Sequence, residues 1–161
     1  MYGCGDGKLA TTLGKPVSQG KKLKKIFWDN NPALKALIAD LEAAYRKRGG
    51  WIKGLDGRML FIRDERKLLN SLLQNAAAVV FKRWMIECRN ALTLKGFNGI
   101  CKQIIAYHDE LQFEVYTRDS VVLDQISTII REAAISAGKQ LKLNVPIGAD
   151  VKLGRDWSQC H

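Results

Sequence analysis

Ile104-Ile105-Ala106-Tyr107-His108-Asp109-Glu110-Leu111-Gln112-Phe113-Glu114-Val115 carries the clearest β signal in the chain. Glu110, Gln112 and Glu114 alternate with Leu111, Phe113 and Val115, the period-two pattern of a half-buried strand. The apolar run Ile104 to Ala106 predicts a partner strand before it, so His108 and Asp109 fall at the tip of a tight hairpin. A carboxylate held there by two strands is rigid and open to solvent, and it can grip a metal ion. Asp also occupies turns for purely conformational reasons, so the turn taken alone has an ordinary structural reading.

Working outward, the segment from about Glu65 to Lys95 reads as a long helix. Leu69, Leu72, Leu73, Ala76, Val79 and Val80 gather on one side at the helical period. Arg66, Asn70 and Gln74 fall elsewhere: at about 100° per residue each step of four advances only about 40°, so they form a narrow polar stripe. Upstream, Asn31-Pro32 predicts a helix start with Asn31 as cap and Pro32 at the first helical position. Leu34, Leu37, Ile38, Leu41 and Tyr45 mark its apolar face, and Gly49-Gly50 ends it. Trp51 to Leu55 and Arg58 to Arg63 flank Asp56-Gly57, which predicts a two-residue hairpin loop of structural character. Val121 to Ala137 reads as an amphipathic helix stopped by Gly138. Val145 to Leu153 alternates as a last strand, with Pro146 at a sheet edge. The expected class is α+β: an antiparallel sheet with long helices packed on it.

Composition sets the environment. At 161 residues the chain is long enough to bury a core, and 26 basic against 16 acidic residues give a net charge of +10. Such a charge favours polyanionic partners. No apolar run approaches the roughly 20 residues that span a bilayer, so no membrane association is expected. Cys4, Cys88, Cys101 and Cys160 are scattered, without the spacing of a zinc site or a disulfide framework. That cysteine usage makes a reducing cytoplasm the expected location. Residues 1–50 hold 10 Lys and Arg against 4 Asp and Glu, and Lys21, Lys22, Lys24 and Lys25 lead into Ile26, Phe27 and Trp28. That mixture suits phosphates and anchoring aromatics, or simply a solvated helix face.

Three stretches in order resemble one family. Tyr2-Gly3-Cys4-Gly5-Asp6 is similar to the end of a fingers helix and the loop after it. Trp51-Ile52-Lys53-Gly54-Leu55-Asp56-Gly57-Arg58, with Arg66, Asn70 and Gln74 behind it, resembles a palm hairpin and the long helix that follows. Tyr107-His108-Asp109-Glu110 resembles the palm's acidic motif, and Asp156 to His161 resembles the tail. The combination identifies the chain as resembling the C-terminal part of a family A, DNA polymerase I-type, DNA polymerase, most like those of short-tailed bacteriophages. The resemblance spans essentially the whole chain, and implies a right-hand polymerase fold. Residues 1–50 would end the fingers subdomain with its following helix, and 51–161 would form the C-terminal part of the palm.

The resemblance implies a function for each motif. The reaction would be template-directed DNA synthesis by nucleotidyl transfer from a dNTP to a primer 3′ end, with two Mg²⁺ ions roughly 3.5–4 Å apart. Asp109 would be a metal ligand and Glu110 an accessory catalytic acid. His108 would lie beside the primer terminus, while Arg66, Asn70 and Gln74 would face the minor groove of the primer-template. Tyr2 would pack near the templating base, with Gly3 permitting close backbone approach.

The departures shape the expectation equally. The family's other metal-binding aspartate, in an Asp-x-Ser-x-x-Glu-x-Arg type motif, does not occur here, nor do the fingers Lys and Tyr that hold the triphosphate. The chain by itself is therefore expected to be inactive, completed by an N-terminal fragment or chain. A split polymerase and a truncated gene product both fit, and its location would be the host cytoplasm if phage-encoded. The competing expectation is a non-catalytic, basic nucleic-acid-binding accessory protein.

Overall fold

The structure, a computed structural model, describes residues 5–160. Tyr2 and Gly3 lie outside the described residues. In chain order the elements are α1 (Asp6–Thr12), α2 (Val17–Asn30), α3 (Pro32–Lys47), β1 (Trp51–Lys53), β2 (Met59–Phe61), a 3-10 turn (Glu65–Lys67), α4 (Leu68–Leu94), β3 (Cys101–Tyr107), β4 (Glu110–Val115), α5 (Ser120–Gln140) and a 3-10 turn (Trp157–Gln159). The chain divides into two compact units, one running to Ala76 and the other from Ala77, so the boundary falls inside α4.

The α+β class holds, but among the described residues the sheet is two separate antiparallel hairpins, β1–β2 and β3–β4. The strand expected over Val145 to Leu153 does not form. Pro146 has no N–H to give a ladder, and the apolar residues here pack individually: a Cβ on Gly138 would lie 3.1 Å from the Ile147 side chain, and Val151 lies against the core of its unit. Alternation in this segment reflects an irregular chain with some side chains facing inward.

In the first unit, α1 and α2 meet at Gly20, which is buried. A Cβ there would come within 2.7 Å of the Asp6 carbonyl oxygen, so glycine sets this approach. Lys24 reinforces it through a 3.1 Å ion pair with Asp6. Pro32 does open α3, as the missing N–H at that position allows. Asn31, however, makes no side-chain cap: its Nδ2 donates to the Phe27 carbonyl at 2.7 Å, closing α2 instead. One amide side chain serves the end of the earlier helix and is not available to the next.

The β1–β2 loop has three residues, not two. The Gly57 N–H donates to the Gly54 carbonyl at 3.0 Å and the Gly54 N–H to the Arg58 carbonyl at 2.8 Å, with Gly57 at φ +83°. This is a turn followed by a left-handed glycine bulge, which moves the positive φ onto Gly57 and spares Asp56. On the inner face Ile52 is fully buried and packs with Leu41, Ile62 and Leu68, joined by Tyr45, Leu60, Leu69 and Leu72. Each such side chain contributes about 1.5–3 kcal/mol by leaving water. On the outer face Trp51 and Phe61 pair across the strands with ring centroids 5.1 Å apart.

The second unit is built on α5. Val122, Ile126, Ile129, Ile130 and Ala133 face a core completed by Cys88 and Leu92 of α4 and Cys101 of β3. Asp119 caps α5, its Oδ1 accepting from the Val121 N–H at 2.9 Å. Gly138 does not stop this helix. It is buried inside it because Ile147 packs there, and the chain turns only at Lys142, with φ +55°. Burial raises the thiols of Cys88 and Cys101 to about 12 and about 11, so both act as small apolar groups.

Candidate active site and primer-template surface

The hairpin expected around His108 and Asp109 is present with a two-residue loop. Tyr107 pairs with Glu110, Ala106 with Leu111 and Ile105 with Gln112, and a bulge between Gln103 and Ile105 shifts the register deeper in the ladder. His108 has φ +52°, the left-handed value that tight hairpin loops demand of a central residue. A non-glycine residue there carries strain of roughly 1–3 kcal/mol, persisting only where the surroundings enforce it. The Tyr107 and His108 rings meet edge to face at 4.2 Å, which fixes the imidazole beside the turn.

Asp109 is exposed, and its carboxylate takes part in no ion pair or side-chain hydrogen bond among the described residues. Its neighbour differs. Glu110 is half-buried and its Oε1 accepts from Gln112 Nε2 at 2.7 Å. Both line a cleft of about 290 Å³ with Trp84, Leu111, Gly148, Ala149 and Asp150. Trp84 anchors one wall by donating from Nε1 to the Ile130 carbonyl at 3.0 Å. Beyond Cys101, β3 is exposed along its length: Ile104, Ile105 and Tyr107 are 56%, 46% and 66% exposed.

Asp150 is the residue that sequence reasoning missed. The alternation of Val145 to Leu153 predicts a strand through it, and its placement beside the hairpin tip makes it a second acidic wall of the cleft. No signal in the local sequence separates it from the other charged residues of the tail.

The described residues contain no group of three His, Cys, Asp or Glu that could hold a metal ion. The donor set at the tip is nonetheless chemically suited to Mg²⁺, a hard cation often bound through one or two carboxylates plus water and substrate phosphates. Asp109 offers two unencumbered oxygens of that kind. It fits as one ligand of a shared site rather than as a complete cage.

The polar stripe lies in the first unit. Asp64 caps its start, accepting from the Arg66 N–H at 3.1 Å, and the Arg66 guanidinium turns back onto the same carboxylate at 3.1 Å. Those Arg66 contacts, side chain first, hold the Asp64 carboxyl below its ordinary range. Arg66 therefore sits on the 3-10 turn and not in the α-helix proper, with its side chain 87% exposed. Asn70 and Gln74 are on α4, the first half-buried and the second exposed.

Comparison with known proteins agrees with this geometry. The model of DNA polymerase family A matches residues 1–159. The DNA-directed DNA polymerases of Enterobacteria phage T3 and Escherichia phage T7 are each 32% identical over 178 residues, covering all of this chain and 25% of theirs. DNA polymerase I of Borreliella burgdorferi is 26% identical, with 18% of its length covered. The chain thus spans about a quarter of the phage relatives' length. Among solved structures, the POL domain of Pol1 from M. smegmatis, in complex with DNA primer-template and dNTP, superposes with a TM-score of 0.83 over 99% of this chain and 29% of that one, at 24% identity. With its hairpins, long helix and acidic turn accounted for in one family model, this chain belongs to DNA polymerase family A.

Proposed function

We propose that the chain supplies part of the catalytic domain of a template-directed DNA polymerase, extending a primer 3′ end with dNTPs and depending on residues from the rest of such an enzyme. The observation that carries this reading is the free carboxylate of Asp109 on a rigid hairpin tip, in a chain of this family. Residues 1–50 are assigned to the end of the fingers and its following helix, and 51–161 to the palm.

Asp109 would hold Mg²⁺ together with an aspartate from outside this chain. Bound there, the metal supplies Lewis-acid stabilisation of the attacking 3′ oxygen and the leaving pyrophosphate. The chain's own residues position the reactants. The β3–β4 ladder fixes the Asp109 carboxylate so that no side-chain search precedes binding. Glu110, restrained by Gln112, keeps a second negative charge near the primer end, and His108 is presented beside the primer terminus.

Gln74 and Asn70 place amide donors where the minor groove offers acceptors common to all correct pairs, so they sense pair geometry without reading sequence. Arg66 joins them by exchanging Asp64 for a groove acceptor. Tyr2 would pack by the templating base, with Gly3 allowing the backbone close. Among the described residues no helix is long and apolar enough to cross a membrane. The working location of such an enzyme would be the cytoplasm, that of the host cell if it is phage-encoded.

The test is reconstitution. The chain is combined with the remaining portion of a family A polymerase, and Mg²⁺-dependent primer extension is measured. Extension by the pair and none by the chain alone is expected. Extension by the isolated chain would overturn its dependence on a partner. Failure of any such portion to restore synthesis, with duplex binding intact, would favour a non-catalytic nucleic-acid-binding role, which the +10 charge also suits.

A further inference from the structure

The basic run near the start acquires a shape on α2. Taking about 100° and 1.5 Å per residue, Lys21, Lys25 and Lys22 fall within about 100° of arc and about 6 Å of axis. All three are exposed, and none takes part in an ion pair among the described residues. The fourth lysine of the run behaves differently: Lys24 lies on the other side and is consumed by Asp6 at 3.1 Å. Gly20, roughly opposite the three, is the buried contact with α1. The helix is therefore clamped on its back and presents a free cationic stripe in front. Ser18 shares the stripe, and Asp29 at its C-terminal end is the one acid on it.

The flanks of the stripe are apolar. Ile26, 46% exposed, borders Lys22, and half-buried Trp28 borders Lys21. Trp28 is braced by Phe27 in an edge-to-face contact with centroids 5.1 Å apart, so its ring is held in place. A solvated face needs no such border. Three cations on one helix face, beside a fixed indole, suit a strand whose bases are unpaired and can lie against the ring. A duplex hides those faces.

We propose that Lys21, Lys22 and Lys25, with Trp28 at their edge, form a docking surface on the first unit for single-stranded DNA. Phosphates seat on the three ammonium groups and a base rests on the indole. The site shares no residue with the acidic hairpin or with the polar stripe at the start of α4, and it does not depend on catalysis.

The experiment measures binding of a fluorescent oligo-dT strand to the full chain against salt concentration. It compares wild type with the triple variant Lys21→Ala, Lys22→Ala, Lys25→Ala, and with the charge-matched control Lys139→Ala, Lys142→Ala, Lys152→Ala. Alanine favours exposed helix positions, so the α2 variant keeps its fold, which circular dichroism verifies.

The log–log salt slope should flatten by about 2 in the α2 triple variant, about 0.7 per phosphate contact on a single strand. It should stay near wild type in the control. Trp28→Ala should weaken binding roughly tenfold without changing the slope. An unchanged slope in the α2 variant, or an equal loss in the control, overturns the site by reducing it to bulk charge. A larger loss for a hairpin duplex than for oligo-dT overturns the single-strand assignment. Primer extension is not read at any step, so the outcome is independent of the polymerase reading.

Discussion

The two hairpins of this chain carry an aspartate each at the turn, and they use it in opposite ways. In β1–β2, Asp56 is spent locally: its carboxylate accepts from the Arg58 N–H at 3.2 Å and pairs with the Arg58 guanidinium at 2.8 Å, while Gly57 takes the positive φ. In β3–β4 no glycine relieves the turn. His108 carries the left-handed conformation itself, and Asp109 keeps its charge uncommitted. A turn built for stability neutralises its acid and places strain on glycine. A turn that retains strain and a free carboxylate is one whose chemistry lies outside the fold.

The largest effect that sharpens this contrast concerns the structural turn. Gly54 leaves room for the Asn75 side chain, against which a Cβ would collide, and Asn75 Oδ1 is already buried with no hydrogen-bond partner among the described residues. Gly54→Ala should cost up to about 3 kcal/mol, as the added methyl displaces the Asn75 side chain or forces the hairpin from α4. Denaturant unfolding measures it, and a loss below 0.5 kcal/mol (about the scatter of surface substitutions) would break the account of the first hairpin.

A smaller effect comes from the buried thiols beneath the second hairpin. An unfolded thiol ionises near its ordinary value, 9.0, whereas Cys88 and Cys101 hold their protons to about 12 and about 11. The unfolded state then binds fewer protons, so stability is full below pH 9 and falls as pH rises above it. The slope approaches about 1.4 kcal/mol per pH unit for each thiol. Unfolding free energies at pH 7.5 and pH 10 should differ accordingly, and Cys88→Ala should flatten the dependence.

Least in size is His108→Gly, which removes the φ strain but loosens the unfolded chain. Stability should change by less than about 1 kcal/mol in thermal unfolding. A large loss would mean that the imidazole, and not the turn geometry, holds the tip.

Much of this was legible in the chain. In the α5 stripe Ile126, Ile129, Ile130 and Ala133 are buried and Val122 is half-buried, as their period implies, since burial acts directly on side-chain spacing. The His108-Asp109 tip was legible because alternation ends abruptly there. The failures share a cause: they depend on partners elsewhere in the chain. Val145 to Leu153 alternates without a neighbour to pair with. Asn31 closes the helix before it, and Gly138 is kept inside α5 by Ile147. Asp150 joined the acidic cleft only through the path of that irregular tail.

The most direct measurement of the central claim sets the two turn aspartates side by side. In the reconstituted polymerase, Mg²⁺-dependent primer extension is compared for wild type, Asp109→Asn and Asp56→Asn, with each fold verified by circular dichroism. Asp109→Asn should lower the rate about a thousandfold or more, several kcal/mol of transition-state stabilisation, while Asp56→Asn leaves it within a few-fold. Equal, modest losses at both positions would contradict the assignment of Asp109 as a metal ligand.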